Sequence, residues 1–129
     1  GTAALVRRAA LTQLARASAA YAPRNADDAE ALRDLVCGAL GREEIAAGDA
    51  GEDAVFAAFR ALRLAVAADL TARGANLARL RDIETPTPAP ALALAQRLYG
   101  DGARADGLIA ASDTIHPLFL PTRFRAEAA

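Results

Sequence analysis

Lysine, methionine and tryptophan are absent from these 129 residues, and cysteine and histidine occur once each. A lone cysteine, Cys37, excludes an internal disulfide and a multi-cysteine metal site. No apolar run approaches the roughly 18 residues of a membrane span, and no signal-peptide pattern is visible. Aromatic residues make up only 5%, although hydrophobic residues reach 53%. Alanine supplies much of that total. A chain rich in alanine and poor in aromatics favours closely packed helices over sheets. Neither charge dominates: 15 basic against 16 acidic residues leave a net charge of -1, so no global field draws the chain to nucleic acid. All the basic residues are arginine, whose planar fork suits paired carboxylates at interfaces. A GC-rich genome raises arginine and alanine together and accounts for this composition without any function. With no methionine and a start at Gly1-Thr2 on the edge of a helical pattern, the chain reads as a fragment of a longer protein, with Gly1 and Thr2 left from a tag or cleavage site.

What is present is helical periodicity in a chain of one-domain size, with or without a small appendage. Ala3–Ala22 reads as a first helix with Val6, Ala10, Leu14, Ala17 and Tyr21 on one face, Leu11 beside them, and Arg8 and Arg16 turned away; Pro23 stops it. Asn25 is a good N-cap for a second helix, with Asp27 and Asp28 in its first turn where the macrodipole favours negative charge. Its apolar face is Ala29, Leu32, Leu35, Val36, Ala39 and Leu40, and Gly41 is a plausible end. Cys37 reads as a small structural residue. Gly41–Gly51 reads as a connector with one helical turn near Glu43–Ala47, and Asp49 and Glu52 have capping-box spacing. From Glu52 to about Ile83, Val55, Phe59, Leu62, Val66, Leu70, Leu77 and Leu80 keep one stripe. The expectation is one long helix weakened at Gly74. Arg73 falls on the stripe with Asp69 one turn earlier, as an i,i+4 pair. The alternative reading turns Arg73 and Asn76 toward another subunit.

Thr85-Pro-Thr-Pro-Ala-Pro90 breaks the helix and reads as a stiff spacer, with Thr87 able to cap the next helix. Ala91 to Tyr99 is a short amphipathic helix; Gly100 can end it in the left-handed conformation and Asp101 can cap its successor, which buries Ala105, Leu108 and Ile109. In Ile115-His116-Pro117-Leu118-Phe119-Leu120-Pro121, three apolar residues between prolines anchor a loop or a short edge strand. Phe124 is the last apolar anchor.

Chemistry is sparse. Ser112, Asp113 and His116 lie in one five-residue stretch with no strand–turn–helix elbow to expose the serine, which argues against nucleophilic catalysis. Asp27-Asp28 and Glu43-Glu44 read as solvated caps. Gly100-Asp-Gly102 lacks the preceding strand of a phosphate loop. Arg7, Arg8 and Arg16 make a basic patch without aromatic interleaving, weak evidence for nucleic acid. No catalytic, cofactor-binding or metal-ligating set is expected. The residues best placed to meet a partner are Asp69, Arg73, Tyr99, Asp101 and His116.

Asp69-Leu70-Thr-Ala-Arg73-Gly74, then Leu77 and Leu80, the proline spacer, Ala91-Leu-Ala-Leu-Ala-Gln-Arg-Leu-Tyr99-Gly100-Asp101, and His116-Pro117-Leu-Phe-Leu-Pro121 together resemble a known family. It is the C-terminal part of the Mu-type phage DNA circularisation protein N, a tail and baseplate component of contractile-tailed phages and prophages. The resemblance covers roughly Val66 to Pro121, a little under half the chain. That family tends to have Asn in place of Ser112, an apolar residue in place of Thr114, and a glycine-containing turn and final strand where Thr122-Arg-Phe-Arg stands. The helix pair also resembles half of a LysM module, with Tyr99-Gly100-Asp101 as the inter-helix turn; no opening strand is visible before Ala91.

The expected fold is therefore mainly α: a helical bundle over residues 1–84 with a long central helix, a proline-rich spacer at 85–90, and a LysM-like helix–turn–helix over 91–129 with at most a short edge strand. The resemblance implies a structural component of a phage or prophage tail or baseplate. Its partners would be other tail proteins, with homo-oligomers allowed for, and it would be assembled in the host cytoplasm and carried in the virion. The family name implies a link to phage DNA ends, which the charge balance of this chain does not support. The alternative is a LysM-like module that binds peptidoglycan.

Overall fold

A computed structural model describes residues 1–128 of the chain. It is mainly helical with a small two-stranded sheet. The chain divides into two compact units, Gly1–Leu77 and Ala78–Ala129.

The first unit holds α1 (Thr2–Ala20), α2 (Ala26–Asp49) and α3 (Asp53–Gly74). Asn25 caps α2 as expected: its side chain accepts the Asp28 N–H at 2.8 Å. Helix α2 then runs straight through the expected connector. Gly41 lies inside it, and Glu43 and Glu44 are buried. Gly41 is therefore not a stop: a Cβ there would rest in ordinary contact with the Arg63 stem at 3.6 Å, whereas one on Gly48 would lie 3.3 Å from the Phe56 ring, a close approach between α2 and α3. The Asp49/Glu52 capping box is not formed; Asp49 ends α2, and Glu52 precedes α3 with no side-chain cap bond.

Val36, Leu40, Phe59, Val66 and Leu70 form the core of this unit. Each such side chain contributes about 1.5–3 kcal/mol by leaving water. Helix α1 is rotated away from its expected face. It buries Ala15 and Ser18, while Leu5 and Val6 remain exposed. The cause is polar. Glu43, 3% exposed, accepts Arg7 Nε at 2.6 Å and Arg8 Nε at 2.7 Å. The far side of the Arg8 guanidinium pairs with both oxygens of Glu52 at 2.8 and 2.9 Å. Arg8, expected to turn outward, therefore sets the rotation of α1. A second buried acid, Glu44, takes Arg63 at 2.7 Å. Cys37 sits partly buried with its Sγ 3.7 Å from the Arg63 carbonyl, and burial pushes its thiol up.

The hydrogen bonds from Arg7 and then Arg8 hold the Glu43 carboxyl down to about 2. A carboxylate depressed in the folded state stabilises it above the ordinary carboxylate range, and that contribution is lost as pH falls toward the folded value. Acidification from pH 5 to pH 2 is therefore expected to lower the melting temperature of the three-helix unit. Glu43→Gln should flatten that dependence, as read by circular dichroism melts at both ends of the range.

The long helix expected over Glu52–Ile83 is two elements. Helix α3 stops at Gly74, with Ala75 and Asn76 in a turn. Gly74 is a contact rather than a flexible point: a Cβ there would come within 2.9 Å of the Ala29 Cβ. Gly74→Ala is expected to cost about 1–3 kcal/mol by overpacking, although alanine is the better helix former. Chemical denaturation would show the loss.

The second unit has the order β1 (Leu80–Glu84), α4 (Ala91–Tyr99), a short 3-10 turn at Gly102–Arg104, α5 (Ala105–Ser112) and β2 (Arg123–Glu127). The strands pair antiparallel, Leu80 against Glu127 through Glu84 against Arg123. Leu80–Glu84 was expected to belong to the first helical group. The division falls before it, at Leu77/Ala78, not at the prolines. An opening strand thus precedes α4, and a closing strand comes after the last proline. Both replace the expected single short edge strand. Ile83, Ala91, Leu94, Ala95, Leu108, Leu120 and Ala126 form the core. Pro90, not Thr87, precedes α4, without a side-chain cap bond. Gly100 ends α4 in the left-handed conformation (φ 68°), and Asp101 accepts the Ala103 N–H at 2.9 Å, both as expected.

Candidate functional site

In the βααβ unit, two loops stand side by side at one end of the sheet: Thr85–Pro90 after β1, and Asp113–Thr122 before β2. Two backbone hydrogen bonds join them, and a third ties the second loop to the start of α4. Thr85 N–H donates to Thr122 O at 2.8 Å, Leu120 N–H to Ala89 O at 2.9 Å, and Ala91 N–H to Pro117 O at 2.8 Å. The last supplies an acceptor for one of the unpaired N–H groups in the first turn of α4. The proline stretch is therefore half of a laced pair of loops rather than a free spacer.

Between the loops lies an open cleft of about 650 Å³ lined by Glu84, Thr85, Pro86, Thr122 and Arg123. Glu84 and Arg123 form an ion pair at its rim. Thr85 is buried, and its Oγ1 has no hydrogen-bond partner. A buried hydroxyl left unpaired costs about 1–3 kcal/mol.

Of the three apolar residues between Pro117 and Pro121, only Leu120 is an anchor. Leu118 and Phe119 are more than half exposed, and Ile115 is 100% exposed. His116 stacks its ring at 5.6 Å from that of Phe119, tilted by 52°. The loop therefore presents a contiguous Ile115–Phe119 segment that is apolar apart from the imidazole. The Ser112 hydroxyl donates to the Ile109 carbonyl at 3.2 Å, and Asp113 ends α5 with a positive φ of 52°. Neither contact joins the serine to the histidine.

The other residues singled out for partners serve inside their own unit. Asp69 and Arg73 pair at 2.8 Å, and the Arg73 guanidinium also donates to the carbonyls of Ser18 (2.8 Å) and Tyr21 (2.5 Å). It closes the C-terminal end of α1, a favoured place for a cation. The Tyr99 hydroxyl donates to the Glu127 carbonyl at 2.7 Å, tying α4 to β2, and Arg104 lies 3.7 Å above its ring. Asp101 is a cap. Only His116 lies on the laced loops. Thr85 and the cleft escaped the sequence reading; the one available signal was the alternation Asp82–Ile83–Glu84–Thr85.

Among the described residues, no helix is long and apolar enough to cross a membrane. Nor does any group of three His, Cys, Asp or Glu side chains stand where it could hold a metal ion. No protein-family model matches this chain, and no curated protein matches it.

Proposed function

We propose that this chain is a structural component of a phage or prophage contractile tail or baseplate, and that it acts by burying the Ile115–Phe119 loop against another tail protein. The observation that carries the reading is that loop. Three large apolar side chains stand in solvent on a segment fixed by backbone bonds to the neighbouring loop. A preordered apolar projection of this kind gains from being covered and loses little entropy when it is. The resemblance to the Mu-type protein N supports it, and a closing strand after Pro121 is what that family usually has. The test is to mix the purified chain with each purified product of the tail genes beside its own and follow complex formation by sedimentation. A stoichiometric complex is expected with at least one; the absence of tail genes there, or of any complex, would overturn the reading.

The cleft favours a second reading, a LysM-like module that takes a glycan chain. Thr122 and the Glu84–Arg123 pair offer donors and acceptors suited to sugar hydroxyls. Saturable binding of peptidoglycan fragments, lost in Arg123→Ala, would establish it and displace a purely structural role.

A further inference from the structure

We infer that α2 is a self-association surface, by which two copies of this chain pair antiparallel about a twofold axis passing at Gly38. The outer face of α2 carries exposed Ala31, Asp34, Leu35, Arg42 and Ile45, with half-buried Gly38 among them. Leu35 and Ile45 are 64% and 65% exposed. These residues recur at helical spacing, so they form one stripe. Gly38 lies at the middle of Ala26–Asp49, so a partner crossing there would overlap most of a helix about 36 Å long.

The stripe is complementary to itself about that point. Residues equidistant from Gly38 meet across an antiparallel twofold. Asp34 then meets the partner's Arg42 on both sides of the axis. Leu35 enters the notch left by Gly41, floored by the Arg63 stem 3.6 Å from where a Cβ would be. Ala31 meets Ile45, small against large. An interface of this kind must match itself, since the same patch serves both copies. Only Asp27 and Asp49 oppose like charges. They lie at the helix ends, where the crossing angle of packed helices carries them apart.

Gly38 supplies the independent sign. A glycine in a helix interior costs about 1 kcal/mol against alanine. Gly48 and Gly74 are explained by neighbours a Cβ would crowd, whereas at Gly38 only the flexible Arg42 guanidinium of its own helix comes within 4 Å. No other described residue lies that near, which leaves room for a second helix to cross closely there. The Asp34 carboxylate is 75% exposed and lies 3.5 Å from Arg33, a long contact that a partner's arginine can displace.

Sedimentation equilibrium of the full chain tests the pairing, with circular dichroism checking that each variant keeps its helicity. A reversible dimer is expected. Asp34→Arg and Arg42→Asp should each weaken it about tenfold or more by placing like charges together, and the double swap should restore it. Gly38→Leu, which places a side chain at the crossing, should abolish the dimer while leaving the helicity of the chain unchanged. A chain that stays monomeric at millimolar concentration would overturn the proposal. So would a dimer that tolerates Gly38→Leu, or one indifferent to both charge reversals.

Discussion

Leu108→Ala will melt the βααβ unit and leave the three-helix unit folded. Leu108 is 1% exposed and packs in a core with Leu94, Leu120 and Ile83. Truncating a buried leucine costs about 2–5 kcal/mol, the larger values where the surroundings cannot collapse. Here α5 is held at both ends. Arg104 before it lies on the Tyr99 ring, and Asp113 after it begins the laced loop, so the cavity should persist. A unit as short as Ala78–Ala129 has little in reserve, since cores below about 70 residues rarely supply more than about 3–5 kcal/mol. The loss thus equals most of what is there. Hydrogen exchange read residue by residue should show protection vanishing over residues 80–127 and persisting in α2 and α3. Uniform loss in both units, or none in either, would contradict the division of the chain.

The second expected result separates stability from recognition. Replacing Ile115, Leu118 and Phe119 together by serine should leave the melting temperature unchanged, because those side chains already face solvent. The loop itself is held by the Pro117 and Leu120 backbone bonds, which the substitutions leave alone. Binding to the partner proposed above should nevertheless fall by about a hundredfold or more, since anchors of this type lose about 2 kcal/mol or more apiece when truncated in an interface. Titration calorimetry with the complex found by sedimentation reads it directly. A variant that binds as tightly as the parent would remove the loop from the interface. A variant that unfolds would show that the exposed residues hold the loop after all.

Much of the chain was legible where local rules and packing agree. Asn25, Gly100 and Asp101 are local solutions to helix ends and appear where their chemistry predicts. Failures came where two periods coincide. Leu77 and Leu80 continue the helical stripe of Val66 and Leu70, so a strand beginning at Leu80 is masked; the period-two alternation of Asp82, Ile83, Glu84 and Thr85 spans too few residues to outweigh it. The other failure is electrostatic. A helical wheel sends Arg8 outward and treats Glu43 as solvated, yet the two meet across 35 residues of sequence and orient a whole helix. Gly41 looks like a stop and Gly74 like a weak point in a continuing helix because a single sequence does not show what lies against them. The cleft was illegible for the same reason, since Thr85 and Thr122 become neighbours only when the strands pair.

That pairing has a consequence for how such a unit travels. Leu80 and Glu127 are opposite partners on adjacent antiparallel strands, so the chain comes in and goes out through a gap of about 5 Å. A module with its two ends so close can be spliced into a surface turn of an unrelated host without prying that turn apart. By its own geometry the βααβ unit is a cassette, able to serve as an insertion as readily as a terminal extension.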